Sequence, residues 1–104
     1  MHVIIWEYQV RAERAAEFEK IYATDGAWAE LFKKGKGFVK TELLRDQQHP
    51  HRYLTIDRWT SLDEYESFRS QWKDEYERLD TQCESLIEEE TLLGIWEAIE
   101  HETR

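Results

Sequence analysis

Cysteine occurs once in this sequence, at Cys83, so no disulfide can form within the chain. A lone thiol is the usage of a reducing compartment, and the chain is expected to be cytoplasmic. Proline also occurs once, at Pro50, and the four glycines are scattered. No Pro/Gly/Ser linker, low-complexity tract or repeat divides the chain, and 104 residues suit one domain, 1–104. No apolar run approaches the ~20 residues that span a bilayer. Residues 1–10 carry neither the basic leader nor the small-residue cleavage site of a secretory signal. Positive charge is scarce: 14 Lys and Arg stand against 23 Asp and Glu, for a net charge of −9. Such a surface repels phosphate backbones and anionic lipids, so neither nucleic acid nor membrane is an expected partner.

Aromatic residues are abundant, with five Trp, five Tyr and four Phe. A chain of this size buries only about two-thirds of its unfolded surface. Large rings must therefore supply much of the core, or wall a pocket for flat ligands.

The periodicity changes along the chain. His2 to Val10 alternates with period two and predicts a strand. From Glu13 to about Phe32 the spacing becomes three and four: Phe18, Ile21 and Tyr22, then Trp28, Leu31 and Phe32. Thr24-Asp25-Gly26 breaks that stretch into two helices, with Thr24 or Asp25 expected to cap the second. Phe38 to Arg45 and Arg52 to Trp59 predict a hairpin around the polar segment from Asp46 to His51. Ser61 and Glu64 form an S-x-x-E capping box. It opens a stripe from Leu62 to Leu86, expected as one helix of about seven turns. The run Glu88-Glu89-Glu90 is expected on a solvated surface, and Thr91 to Glu100 as the fourth strand.

The order βαββαβ, with right-handed crossovers, gives an α+β ferredoxin-like fold: a four-stranded antiparallel sheet with two main helices on one face. Taken strand by strand, one set of positions holds Ile4, Trp6, Tyr8, Val39, Leu43, Leu54, Ile56 and Trp96. The other holds Val3, Ile5, Phe38, Leu44, Tyr53, Trp59, Leu93, Ile95 and Ile99, mixed with Glu7, Lys40, Glu42, Thr55, Asp57 and Glu97. Which set meets the helices stays open. Both faces carry large apolar groups, and the helices cover one. A second copy of the chain is the expected cover for the other, in a homodimer joined through the sheet faces.

Over about Val3 to Glu97 the chain resembles the antibiotic biosynthesis monooxygenase superfamily of dimeric α+β barrels. The likeness is carried by the stretch from Gly37-Phe38-Val39 to Arg45-Asp46, by Arg52 to Trp59, and by Ser61 through Tyr65 to Phe68. It implies one pocket per subunit between helices and sheet. Some members oxidise anthrones or quinols with molecular oxygen and neither metal nor flavin, so no cofactor is implied. In those members a polar residue lies four before the strand Trp and a Tyr six after it. Here these positions are Thr55 and Tyr65 around Trp59, with Thr where the catalytic members tend to have Asn. The three are the candidate catalytic residues. Trp6, Arg58, Phe68, Trp72 and Trp96 are candidates for contacting the substrate. The plainer reading makes Trp59 and Tyr65 core rings and Arg58 an edge salt bridge to a neighbour's Asp57 or to Glu97.

Haem-degrading members ligate iron through a histidine on the second helix, and this chain has none there. His49 and His51 flank Pro50 and do not supply the three or four ligands zinc requires; His2 and His101 lie near the termini. Cys83, on the helical stripe, is expected to be a buried, inert thiol. Two functions follow: a cofactor-independent monooxygenase acting on a flat phenolic or quinol-like substrate, or a non-catalytic dimer that binds a small aromatic metabolite.

Overall fold

The computed structural model describes residues 1–99. Its elements are β1 (His2–Val10), α1 (Ala15–Tyr22), α2 (Ala27–Phe32), β2 (Phe38–Arg45), β3 (Arg52–Trp59), α3 (Leu62–Gln71), α4 (Lys73–Cys83) and β4 (Ile87–Glu97). The strands form one antiparallel sheet in the order β2-β3-β1-β4. This is the ferredoxin-like α+β arrangement. No helix among the described residues is long and apolar enough to cross a membrane.

Local chemistry sets the element ends. Ser61 Oγ accepts from the Glu64 N–H at 3.1 Å, which supplies one of the N–H partners that the start of α3 lacks. In the β2–β3 connection, Asp46 Oδ1 accepts from the N–H groups of Gln48 (2.8 Å) and His49 (3.2 Å). His51 there adopts φ 72°, and its carbonyl accepts from the Val10 N–H. The cap of α2 differs from expectation. It is Gly26, not Thr24 or Asp25, and no side chain caps it. A Cβ on Gly26 would lie 2.3 Å from the Ile21 carbonyl oxygen and 2.5 Å from that of Lys20. Gly26→Ala must therefore push α2 away from α1. A loss of about 1–3 kcal/mol is expected, read as a lower urea midpoint at unchanged slope.

Two further expectations need correction. The stripe from Leu62 to Leu86 is not one helix: Trp72, at φ −110° and ψ 29°, separates α3 from α4. Its ring lies beneath the Lys34 ammonium, 4.8 Å from the ring centre. The fourth strand begins at Ile87 rather than Thr91, so the exposed run Glu88–Glu90 belongs to it. Pairing of Glu89 and Glu90 with Gln9 and Tyr8 of β1 overrides the weak strand preference of glutamate. The expected strand end at Glu100, like His101, lies outside the described residues.

Register settles the faces. Ile4 pairs with Asp57, Trp6 with Thr55 and Tyr8 with Tyr53; Thr41 and Leu43 pair with Asp57 and Thr55. Paired residues share a face. The helix-side face thus joins Ile4, Trp6 and Tyr8 with Tyr53, Thr55, Asp57 and Trp59. Leu54, Ile56 and Arg58 turn to the open face with Ile5 and Glu7. The assignment made strand by strand had β3 reversed, because alternation within one strand carries no phase relative to the next. Three irregularities shift the phase further, one of them at Glu88 near the start of β4. Val39 is an extra residue between the Phe38–Trp59 and Lys40–Arg58 pairs. Leu93 is another, between Gly94, opposite Ile5, and Leu92, opposite Trp6. Trp96 consequently pairs with Val3 on the open face, and Ile95 with Ile4.

The core between helices and sheet is largely aromatic. Phe18 stacks on Tyr22 with centroids 4.1 Å apart, and both contact Tyr8. Phe32, Trp59 and Phe68 form a second group, and Cys83 and Leu86 close the layer. On the open face Arg52 pairs with Glu7 and, at 2.8 Å, with Asp46; Arg58 pairs with Glu42 at 3.2 Å.

Candidate active site

Strand pleating and helix pitch bring twelve side chains around a cavity of about 230 Å3 between sheet and helices. Trp6 and Tyr8 of β1, Thr41 of β2, Thr55 and Asp57 of β3, and Glu90 of β4 come from the sheet. Tyr22, Trp28, Phe32, Arg69, Tyr76 and Asp80 come from the helices. The volume is below the roughly 300–1,000 Å3 of sites for drug-sized ligands, which suits a compact ring system.

Thr55 and Asp57 are two apart on one strand and therefore point the same way. Thr55 Oγ1 shares a 3.3 Å hydrogen bond with the Tyr8 hydroxyl. Thr41 Oγ1 donates to Asp57 Oδ1 at 2.5 Å. Asp57 is buried, at 8% exposure, and no cation pairs with it among the described residues. Burial raises its pKa to about 6, although the Thr41 hydrogen bond works in the opposite direction. Burial likewise pushes Tyr8, Tyr22 and Tyr76 up, so all three remain neutral phenols that can donate or accept. Trp28 adds a buried indole N–H without an acceptor among the described residues.

The cavity rim is charged. Glu90 is raised by partial burial and by Asp80 beside it. Arg69 is the one cation in the wall among the described residues. Its guanidinium stacks on Tyr76, 3.8 Å from the ring centre, and Nη1 donates to the Tyr65 hydroxyl at 3.0 Å. Burial opposes its charge, but the Tyr65 bond and nearby Tyr76 and Asp80 outweigh that and hold its pKa above the ordinary value.

Of the residues singled out in the sequence, Thr55 and Trp6 lie in the wall. Trp59 has no exposed surface and sits in the core, edge-on to Tyr65, Phe38 and Phe32. Tyr65 is outside the wall and reaches it through Arg69. Phe68 is a core ring against Trp59, and Trp72 marks the α3–α4 junction. Arg58 lies on the opposite face of the sheet, and its partner is Glu42 rather than a neighbour's Asp57 or Glu97. Trp96 is on the open face of β4, 57% exposed. Cys83 is buried, and burial raises its thiol pKa. Sequence reasoning missed Asp57, Thr41, Arg69 and Tyr76 as a group. The usable signal was Thr55 and Asp57 alternating with period two between Tyr53 and Trp59, two polar residues on an otherwise aromatic face.

The family model for antibiotic biosynthesis monooxygenases matches residues 1–71. Comparison with the curated proteins gave no match. Among solved structures, SnoaB, a cofactor-independent oxygenase from Streptomyces nogalater, is 25% identical over 96% of this chain and 94% of its own, with a TM-score of 0.75. A Bordetella bronchiseptica protein named for the same family is 24% identical, covering 94% of this chain and 96% of its own, with a TM-score of 0.70. A Deinococcus radiodurans protein, also named for it, is 16% identical over 100% and 98%, with a TM-score of 0.67. The last two are likenesses of fold.

Proposed function

Since the chain belongs to the antibiotic biosynthesis monooxygenase family, we propose that it oxidises a flat phenolic or quinol-like molecule with molecular oxygen in the cavity between helices and sheet. The observation that carries this reading is the aromatic-walled cavity with Thr55 in its sheet side. Rings exclude water and stack on a planar substrate, and a hydroxyl beside the reacting oxygen holds the anion that oxygen attacks. SnoaB, similar along nearly its whole length, is an oxygenase without a cofactor. For an anthrone-type substrate the balance is a ring CH2 and O2 giving a ring C=O and water.

Oxygen uptake over an anthrone and quinol panel tests the reading. Uptake above the protein-free rate is expected for at least one member, with oxygen incorporated into product. Thr55→Val should lower kcat/KM about 100-fold, the cost of losing one donor to a developing oxyanion. No uptake across the panel sinks the oxygenase reading. A compound that raises Tm without being consumed would favour the binding module instead.

The assembly proposed with it is a homodimer. On the open face Trp96 of β4 and Leu44 of β2 are exposed, at 57% and 43%, and the half-buried Ile5, Leu54 and Ile56 lie on the strands between them. Soluble monomers rarely expose contiguous apolar patches larger than a few hundred Å2. The open faces of two copies would cover one another.

A further inference from the structure

Resting on the oxygenase reading, we infer that Asp57 is the base that removes the substrate's proton, with Thr41 as its positioning residue. Three observations carry this. Asp57 is a cavity-wall carboxylate from which water is largely excluded. Its Oδ1 is held by Thr41 at 2.5 Å, while Oδ2 makes no hydrogen bond among the described residues. No cation pairs with it among the described residues, so an incoming O–H or acidic C–H is the natural partner of that free oxygen. An unpaired buried carboxylate costs stability and calls for an explanation in function. Asp80 and Glu90 are exposed at the rim, where water already solvates them.

The cavity's charge also selects the form in which substrate enters. Asp57, Asp80 and Glu90 face a single guanidinium, Arg69, and the phenols of Tyr8, Tyr22 and Tyr76 are neutral. Three carboxylates disfavour a preformed anion. The substrate therefore enters neutral and loses its proton inside.

The steps balance for an anthrone. Asp57 Oδ2 takes one proton from the ring CH2, and the electron pair stays on the ring system. The carbanion and O2 join, by electron transfer and recombination, into a C–OO− group. Asp57 returns its proton to the distal oxygen, giving a hydroperoxide. Asp57 then removes the remaining C–H proton as the O–O bond breaks. The C=O forms, and the departing hydroxide takes that proton from Asp57 as water. Asp57 ends each turnover ionised.

Anthrone itself is the probe, used in two ways with wild type, Asp57→Asn and Thr41→Val. Under argon in D2O, exchange of the ring CH2 protons, followed by NMR, reads proton removal without oxygen. In air, oxygen uptake reads the whole reaction. Wild type is expected to speed exchange, with a kcat/KM limb rising near pH 6. Asp57→Asn should lower both rates 100- to 10,000-fold and abolish that limb. Thr41→Val removes the hydrogen bond that lowers the Asp57 pKa, so the limb should move to higher pH, a displacement that a purely structural role would not produce. Exchange without oxygen uptake would leave the base in place and remove the oxygenase. Exchange no faster than the protein-free rate, or a folded Asp57→Asn with the wild-type rate and limb, would overturn the assignment.

Discussion

Placing glutamate at both Leu44 and Trp96 should turn a particle of twice the 12.7 kDa chain mass into one of the chain mass itself. Light scattering at micromolar concentration checks it. Both side chains are exposed on the open face of the isolated chain, at 43% and 57%. Burying a large apolar side chain is worth about 1.5–3 kcal/mol, and a twofold interface counts each change twice. Carboxylates in the same place must be desolvated without a partner, which adds to the loss. The dissociation constant should rise at least ~1,000-fold. The core rings Phe18, Trp59 and Phe68 lie elsewhere, so the monomer should keep its far-UV spectrum while its melting temperature ceases to depend on concentration. Wild type running at 12.7 kDa would remove the proposed assembly.

Asp57→Asn should make the folded chain more stable at pH 8 and leave it unchanged at pH 4. The carboxyl titrates at about 6 in the fold against an ordinary 3.8. Between these values the folded state holds more protons than the unfolded state, so stability falls as pH rises and stays reduced above the folded pKa. Two pKa units correspond to about 3 kcal/mol, and a gain of about 1–3 kcal/mol is a fair range for the variant. An amide can still accept from Thr41, so that hydrogen bond need not be lost. Urea melts at pH 4, 6 and 8 should show the two proteins coinciding at the acid end and separating upward. Equal stability at pH 8 would mean that the carboxylate is solvated. Greater stability together with lost turnover would identify a group whose burial serves chemistry rather than folding.

What could be read beforehand follows physical lines. The strands of β1, β2 and β3, the break before Gly26 and the cap at Ser61 were legible because each is encoded within a few neighbouring residues. The faces were not, since they depend on which residue of one strand lies opposite which residue of another. Asp57 was therefore grouped with Glu7 and Lys40, although it faces the cavity and they do not. Trp59 shows another limit. An aromatic at a family position reads alike whether it lines a site or lies one layer beneath it, and here it lies beneath. Arg69 sits among many charged helical residues, and only the folded arrangement shows which of them meets the sheet.

The extra residue at Leu93 gives β4 a property of parity. On a strand, odd and even positions belong to opposite sides, and one supernumerary residue exchanges them for everything beyond it. Were Leu93 paired as an ordinary strand residue instead of bulged, Thr91 would reach the cavity and Glu90 would turn away. The acidity of the rim is therefore fixed by arithmetic along the edge strand as much as by the choice of side chain. A relative that paired this residue in the ladder instead of bulging it could keep every side chain and still present a different wall to its substrate. Aligning such chains by residue type alone would miss it, because the difference lies in a count.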